Sequence, residues 1–387
     1  MKYIRTYGDY NSWKLDYSDH SRGFRLKPTL YKYSDTNVES KILLENDDPR
    51  KYRDEGSTYM EITLDSDTEF SFYIGNAPGN TETTMDCRVN WGDSTVDENL
   101  SIIADGKGFK LSHSYKAGSY SIELHKVARD YSIIGDGANT KSLISHPSSV
   151  KRVILGDGVV DIGDRAFDYC SSLTSISISK GVASIGDCTF YFCTSLKSIY
   201  IPESVTRIKG RAFYGCKSLT SIYIPESVTS IGDWVFSECR DITSVHIPEG
   251  ITTIECGMFA DCTSLTSVYI PEGVTSIGES VFEQCFSLTS VYIPEGVTSI
   301  GRYAFTYCTS LTSVNIPEGV TSIGEAMFMK CSSLTSISSL NTTAPTLDIN
   351  VFASLPTNGT LYIKPGATGY DAWLNALPSG WRIVESL

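Results

Sequence analysis

At 387 residues, 41% of them apolar, the chain is long enough for two or three domains with real cores. Its formal net charge of −13 argues against nucleic acid as a partner. It carries no run of about 18 apolar residues, so no membrane span is expected, and residues 1–30 lack the apolar core of a signal peptide.

Residues 1–57 are polar and tyrosine-rich, with 11 Lys or Arg against 10 Asp or Glu, and no fold is read for them. From 58 to 127 short alternating runs follow: Tyr59–Leu64, Glu69–Ile74, Cys87–Trp91 and Tyr120–Leu124, parted by Gly, Asn and Asp turns. Such runs predict an all-β sandwich. The stretch VNWGDS (Val89 to Ser94), followed by SHSYKAGSYSIEL (Ser112 to Leu124), resembles the polycystic-kidney-disease-type immunoglobulin-like domain. That resemblance implies a buried Trp91, an Asp93 capping the turn after it, and a bend before the last strand held by Tyr115 and Gly118. Ser94 stands where that family usually has glycine.

Residues 128–172 read as an adaptor (128–147) and a first, degenerate coil that lacks its leading leucine. Beyond them, 173–338 reads as the repeat region, and eight cysteines recur every 23 residues, from Cys170 at its threshold through Cys193, Cys216, Cys239, Cys262, Cys285 and Cys308 to Cys331. Eight phenylalanines from Phe167 to Phe328 keep the same step. A period of this length marks a stacked-repeat solenoid, because one unit is too short to bury its own apolar face. Coil 265–287 shows the unit: Val268 and Ile270 alternate around Tyr269 as in a half-buried strand, and Pro271 stops that strand. Val274 and Ile277 then begin a second inward turn, and Glu279–Gln284 leaves room for a short helical or 3₁₀ turn anchored by Phe282. Coils of this kind stack at about 4.8 Å.

The pattern C-x-x-L-x-x-I-x-I-P-x-x-V-x-x-I-(x)4-F, as in Cys216 to Phe236, resembles the 23-residue leucine-rich repeats of BspA-like bacterial surface proteins. The fold class expected is therefore mainly β: an immunoglobulin-like sandwich, then a right-handed leucine-rich-repeat solenoid with a parallel strand ribbon, then a C-terminal cap over 339–387. The first coil departs from the pattern, with Ser179 and Lys180 where later coils carry Pro-Glu.

Little in the chain points to chemistry. None of the five histidines (His20, His113, His125, His146, His246) lies in a zinc motif, and no nucleophile elbow or phosphate-binding loop occurs. Catalytic residues, metal ligands and cofactors are therefore read as none. Asp65, Asp67 and Glu69 alternate like part of a calcium loop but lack its glycine and distal glutamate. Gly156–Gly158 lacks the third glycine of a dinucleotide fingerprint. The cysteine column reads as buried thiols, whereas Cys87, Cys188 and Cys256 lie outside it and receive no pairing.

The outward face of the ribbon carries a serine column that includes Ser221, Ser244 and Ser267. Beside it run Ser177, Tyr200, Tyr223, His246, Tyr269, Tyr292, Asn315 and Ser338. Tyrosine beside small hydroxyl residues suits recognition, since it offers wide contact at low entropic cost. The same rings could equally stack on one another as a structural ladder. Six glutamates at the same step, Glu203 to Glu318, read as a solubilising edge. The resemblance implies a non-enzymatic surface or secreted protein that adheres to a host, matrix or cell protein. The alternatives are a carbohydrate-binding or accessory module of a polysaccharide-acting system, with a glycan as partner, and a structural spacer.

Overall fold

The computed structural model describes residues 15–16, 29–30, 57–104, 108–125, 127, 131–134 and 144–386. The chain divides into two units, Met1–Glu55 with Leu387, and Gly56–Ser386. In the first, Leu15–Asp16 pairs antiparallel with Thr29–Leu30; the rest of the polar segment 1–57, up to Gly56, lies outside the described residues, as does most of 128–143.

The second unit opens with β1 (Thr58–Leu64), β2 (Thr68–Asn76), β3 (Thr84–Asn90), β4 (Val96–Ile103), β5 (Phe109–Tyr115) and β6 (Gly118–His125). Then come β7 (Tyr131–Ile133), β8 (Val150–Ile154) and β9 (Val159–Ile162). Alternation in the sequence becomes an inner face: Met60, Ile62, Phe70, Phe72, Ile74, Met85, Val89, Leu111, Ile122 and Leu124 are all buried. One sheet runs β4–β3–β6–β1–β8 and the other β5–β2–β7–β9, and both continue into the coils. At the junction the pairing changes direction. β1 meets β8 antiparallel (Met60 opposite Val153), and β8 meets Ser175–Ser177 parallel. On the other sheet β2 meets β7 antiparallel and β7 meets β9 parallel. The first coils are thus covered by ladder hydrogen bonds and share one apolar core with the N-terminal sheets.

Trp91 is buried, its Nε1 donating to Asp97 Oδ2 at 2.8 Å while Tyr115 Oη donates to its carbonyl at 2.9 Å. The His113 ring stacks on it with centroids 5.0 Å apart. Asp93 caps the next turn by accepting from the Thr95 amide at 3.1 Å. Ser94 takes φ 76°, the left-handed conformation that glycine supplies most readily.

Each later coil has three edges. On the first, short strands run in parallel register, as with Ser221–Tyr223 against Ser244–His246. Regular strand pairing lapses at 265–270 and 288–293, where the ladder is carried by amides such as Thr266 and Thr289 bonding the coil before. On the second edge two-residue strands pair, for example Ser276–Ile277 with Thr253–Ile254 and Ser299–Ile300. Between them Pro271 O accepts from Val274 N at 3.0 Å, closing the corner.

The third edge is not helical, contrary to the expectation of a short helical or 3₁₀ turn. Its alternate amides point to the next coil: Ser280 to Arg302 O, Phe282 to Ala304 O and Gln284 to Thr306 O, at 2.8–3.0 Å. The amides between them close three-residue turns within the coil, Glu283 onto Ser280 O and Cys285 onto Phe282 O. With half its donors spent between coils, the segment cannot form the consecutive intrachain bonds of a helix. Two residues per coil turn left-handed to allow this, Ser280 at φ 56° and Gln284 at φ 60° in this coil. Each such non-glycine residue costs roughly 1–2 kcal/mol locally, offset by ladder bonds to the neighbouring coil. Gly257 holds one of these positions (φ 59°), and a Cβ there would come within 2.2 Å of the Trp234 ring.

Inside, Phe167 to Phe328 form one stack with centroids 5.4–5.8 Å apart. Phe352 extends it and Trp373, from the helix Asp371–Ala376, closes it at 5.4 Å. Strands Gly359–Ile363 and Trp381–Glu385 continue the first edge in parallel register. All eleven cysteines are unpaired. From Cys193 to Cys331 each column thiol donates to the phenylalanine carbonyl of the coil before it, at 3.0–3.2 Å. Burial pushes these thiols up, that of Cys331 to about 12.

Three consequences are measurable. Replacing Phe236 by alanine removes a fully buried ring from mid-stack and should cost about 3–5 kcal/mol in urea unfolding. Native thiol titration should recover few of the column cysteines, and reductant should leave the melting temperature in place; a large drop would mean that disulfides hold the coils. For Asp93, burial alone would raise the carboxyl, but hydrogen bonds from Thr95 and His113 outweigh it and hold the group at about 2 against an ordinary 3.8. A depressed folded pKa gives stability that is complete above the unfolded value and lost as pH falls toward the folded one. Asp93→Asn should therefore flatten the decline in melting temperature between about pH 4 and pH 2; an unchanged slope would sink that account.

Candidate binding surface

The strand face gathers the residues singled out from the sequence. Ser221 and Ser244 lie opposite one another, as do Tyr223 and His246, while Ser177, Tyr200 and Tyr223 are joined by successive parallel bridges. Asn315 pairs in register with Ser338. Ser267, Tyr269 and Tyr292 keep the same 23-residue step, and all three are half-buried. Tyr200 is 41% exposed, the most open ring of the column. At the last coil the face closes over: Ser338 is only 7% exposed.

The rings do not stand free. Tyr223 and His246 stack with centroids 5.6 Å apart and planes 5° from parallel, so one face of each ring is turned to the other. His246 Nε2 lies 2.8 Å from Glu226 Oε1, and the Glu249 amide donates to Glu226 Oε2 at 3.0 Å. Tyr269 donates its hydroxyl to Glu249; burial first, then the charges of Glu249 and Glu272, raise its pKa well above the ordinary value. In both pairs the carboxylate stands 20 residues before the ring. The same offset relates Glu203 to Tyr223 and Glu272 to Tyr292. The glutamate column, read from sequence as a solubilising edge, is thus coupled to the ring column, and the 20-residue offset was the signal for it.

The turn edge, whose residues Asp168-Tyr169, Tyr191-Phe192, Tyr214-Gly215, Ser237-Glu238 and Glu283-Gln284 differ from coil to coil in the sequence, carries a second aromatic group. Tyr169 and Phe192 stack at 5.6 Å, Tyr191 and Tyr214 at 5.0 Å, and Lys217 Nζ lies 5.4 Å from the Phe192 ring centroid. Tyr214 donates to Glu238 Oε1 at 2.8 Å, and burial with that bond pushes its phenol up to about 12.

Among the described residues no three His, Cys, Asp or Glu side chains are placed to hold a metal ion. The acids of the calcium-like stretch turn instead to lysines: Asp67 Oδ2 accepts from Lys116 Nζ at 2.7 Å and Glu69 Oε1 from Lys110 Nζ at 3.3 Å. The Lys116 bond holds the Asp67 carboxyl below its usual range. Gly156 and Gly158 serve a turn, their carbonyls accepting from Val159 and Tyr131. No described helix is long and apolar enough to cross a membrane.

No curated protein matches the chain. Among solved structures it is similar to a leucine-rich repeat protein of T. pallidum, at 32% identity over 47% of this chain and 83% of that one, with a TM-score of 0.42. It is also similar to a leucine rich cell surface protein of Faecalibacterium prausnitzii, at 31% identity over 50% of this chain and 73% of that one, TM-score 0.31. A leucine-rich repeat protein of Eubacterium ventriosum is 18% identical over 82% of this chain and 85% of that one, TM-score 0.44. The model of the BspA type leucine-rich repeat region matches residues 145–243 and 230–358, more than half of the 387 residues. The chain belongs to the BspA-type leucine-rich repeat family.

Proposed function

We propose that the protein is a non-enzymatic adhesion protein of the cell surface or secreted space, and that the strand face of its solenoid binds a protein of a host, a matrix or another cell. One observation carries this reading: a column of half-buried to exposed rings, Tyr200, Tyr223, His246, Tyr269 and Tyr292, stands in step with small serines along the ribbon. Rigid aromatic side chains flanked by small hydroxyl residues give contact area at low entropic cost. Ser221, Ser244, Ser267 and Asn315 complete the face. Surface location is carried over from the family. In the same reading residues 58–127 are an immunoglobulin-like module of the polycystic-kidney-disease type, supported by the Trp91–Tyr115–Asp93 corner. That module spaces the solenoid from whatever precedes it.

The stacking of Tyr223 on His246 favours a second reading, in which the column is a structural ladder only. Substituting Tyr223→Ser and Tyr269→Ser separates the two. Serine already occupies this column at Ser177 and Ser338. Loss of one stack and one exposed hydrogen bond should cost about 1–2 kcal/mol. Capture of immobilised matrix and serum proteins should then fall at least tenfold, the size expected for central aromatic hot spots. Unchanged capture by the doubly substituted, folded protein would leave the ladder as the column's whole role.

A further inference from the structure

We propose that the strand face takes an extended, lysine- or arginine-rich polypeptide segment laid along the solenoid axis. The inference rests on the binding role proposed for this face and concerns the chemistry of its partner. Five successive face segments, Leu219–Val228, Ile242–Ile251, Leu265–Val274, Leu288–Val297 and Leu311–Val320, contain no Lys or Arg. Each brings one exposed glutamate, Glu226, Glu249, Glu272, Glu295 and Glu318. His246 is the only basic side chain among them, and it already faces Glu226. Over these five coils the permanent charge of the face is therefore of one sign, whereas the two coils before them carry Lys180 and Lys197.

The chain itself shows which group that charge accepts. Lys364 reaches back from the C-terminal cap and sets its Nζ 2.9 Å from Glu318 Oε2, seating an ammonium on the last member of the column. The preceding glutamates repeat that position coil by coil. Internal bonds do not exhaust them: a carboxylate has about four lone-pair sites, and Glu226 uses one oxygen for His246 and the other for the Glu249 amide. Carboxylates stacked at about 4.8 Å repel one another, so cations from a partner relieve a cost that the free protein carries.

Ring geometry fixes how the partner is drawn. Tyr223 and His246 each turn one ring face to the other, which withdraws those two π faces from a cation. Attraction therefore comes from the carboxylates, and the rings and serines supply contact around them. Three spacings from Glu226 to Glu295 amount to about 14 Å, which four or five residues of an extended chain cover.

The test uses the full chain and fluorescein-labelled deca-arginine, with deca-glutamate as control, followed by anisotropy at low and physiological salt. The triple substitution Glu226→Gln, Glu249→Gln and Glu272→Gln should weaken deca-arginine binding at least tenfold. A second triple on the turn edge, Glu279→Gln, Glu283→Gln and Glu325→Gln, removes the same charge and should change it less than twofold. Equal loss in both triples would reduce the effect to net charge and overturn the proposal, as would no binding of deca-arginine at all. Matrix-protein capture separates this inference from the one beneath it. Capture lost in the tyrosine variant but intact in the face triple would overturn the basic partner and keep the binding face. Capture intact in both would overturn the two together.

Discussion

Everything in the solenoid depends on one constraint: each coil must satisfy its backbone hydrogen bonds on its neighbours along three edges at once. An inserted residue would throw at least one edge out of register and leave buried amides unpaired, which is costly. That is why 23 residues separate successive members of the stacked columns, Phe167 to Phe328 and Cys170 to Cys331. The one break comes where the stack ends. Phe328 and Phe352 are 24 apart, their centroids widen to 6.3 Å, and Trp373 then closes the column with a tilted ring. At the opposite end, β1 and β7 meet the same demand by pairing with the first coil's strands.

The cysteine column follows from this geometry. Each phenylalanine carbonyl along the stack accepts the amide of the cysteine three residues on, as Phe259 O does from Cys262 N at 3.1 Å. The thiol of the next coil fills a second site on the same oxygen, Cys285 Sγ at 3.1 Å. An alanine would leave that second lone pair unused in a fully buried place. A larger apolar residue would have to displace a neighbouring ring in a core already packed to contact. A thiol is small enough to fit and polar enough to donate weakly.

The inward columns were readable because burial repeats: Leu, Ile, Phe and Cys recur at fixed steps, and any coil predicts the next. The strand of β1 was readable for a similar local reason, its period of two, whereas the buried Trp91 and the Asp93 cap were readable only as what the family resemblance implies. What escaped reading lies between coils. The turn edge reads as helical in isolation, because nothing in Glu279–Gln284 says that alternate amides bond to residues 22 positions ahead. The pairing of Glu226 with His246 escaped likewise, since 20 residues is close to the repeat but short of it, and only stacking brings the two ends together. The merging of the N-terminal sheets with the solenoid is of the same kind. Antiparallel strands gave no sign that β1 would pair across to β8.

The outward face stands under a weaker constraint, and that gives its residues their meaning. Backbone ladders fix where each side chain emerges but not what it is, so Ser177, Tyr223, His246, Asn315 and Ser338 all occupy one column without disturbing the coil. Rings at that position are held by carboxylates from the coil before, as Tyr269 is by Glu249. Such a ring is already ordered before any partner arrives, which lowers the entropic cost of immobilising it on binding. The same carboxylate leaves the face acidic. Preorganisation and charge therefore come from a single pairing, and a partner that meets the rings must also meet the glutamates.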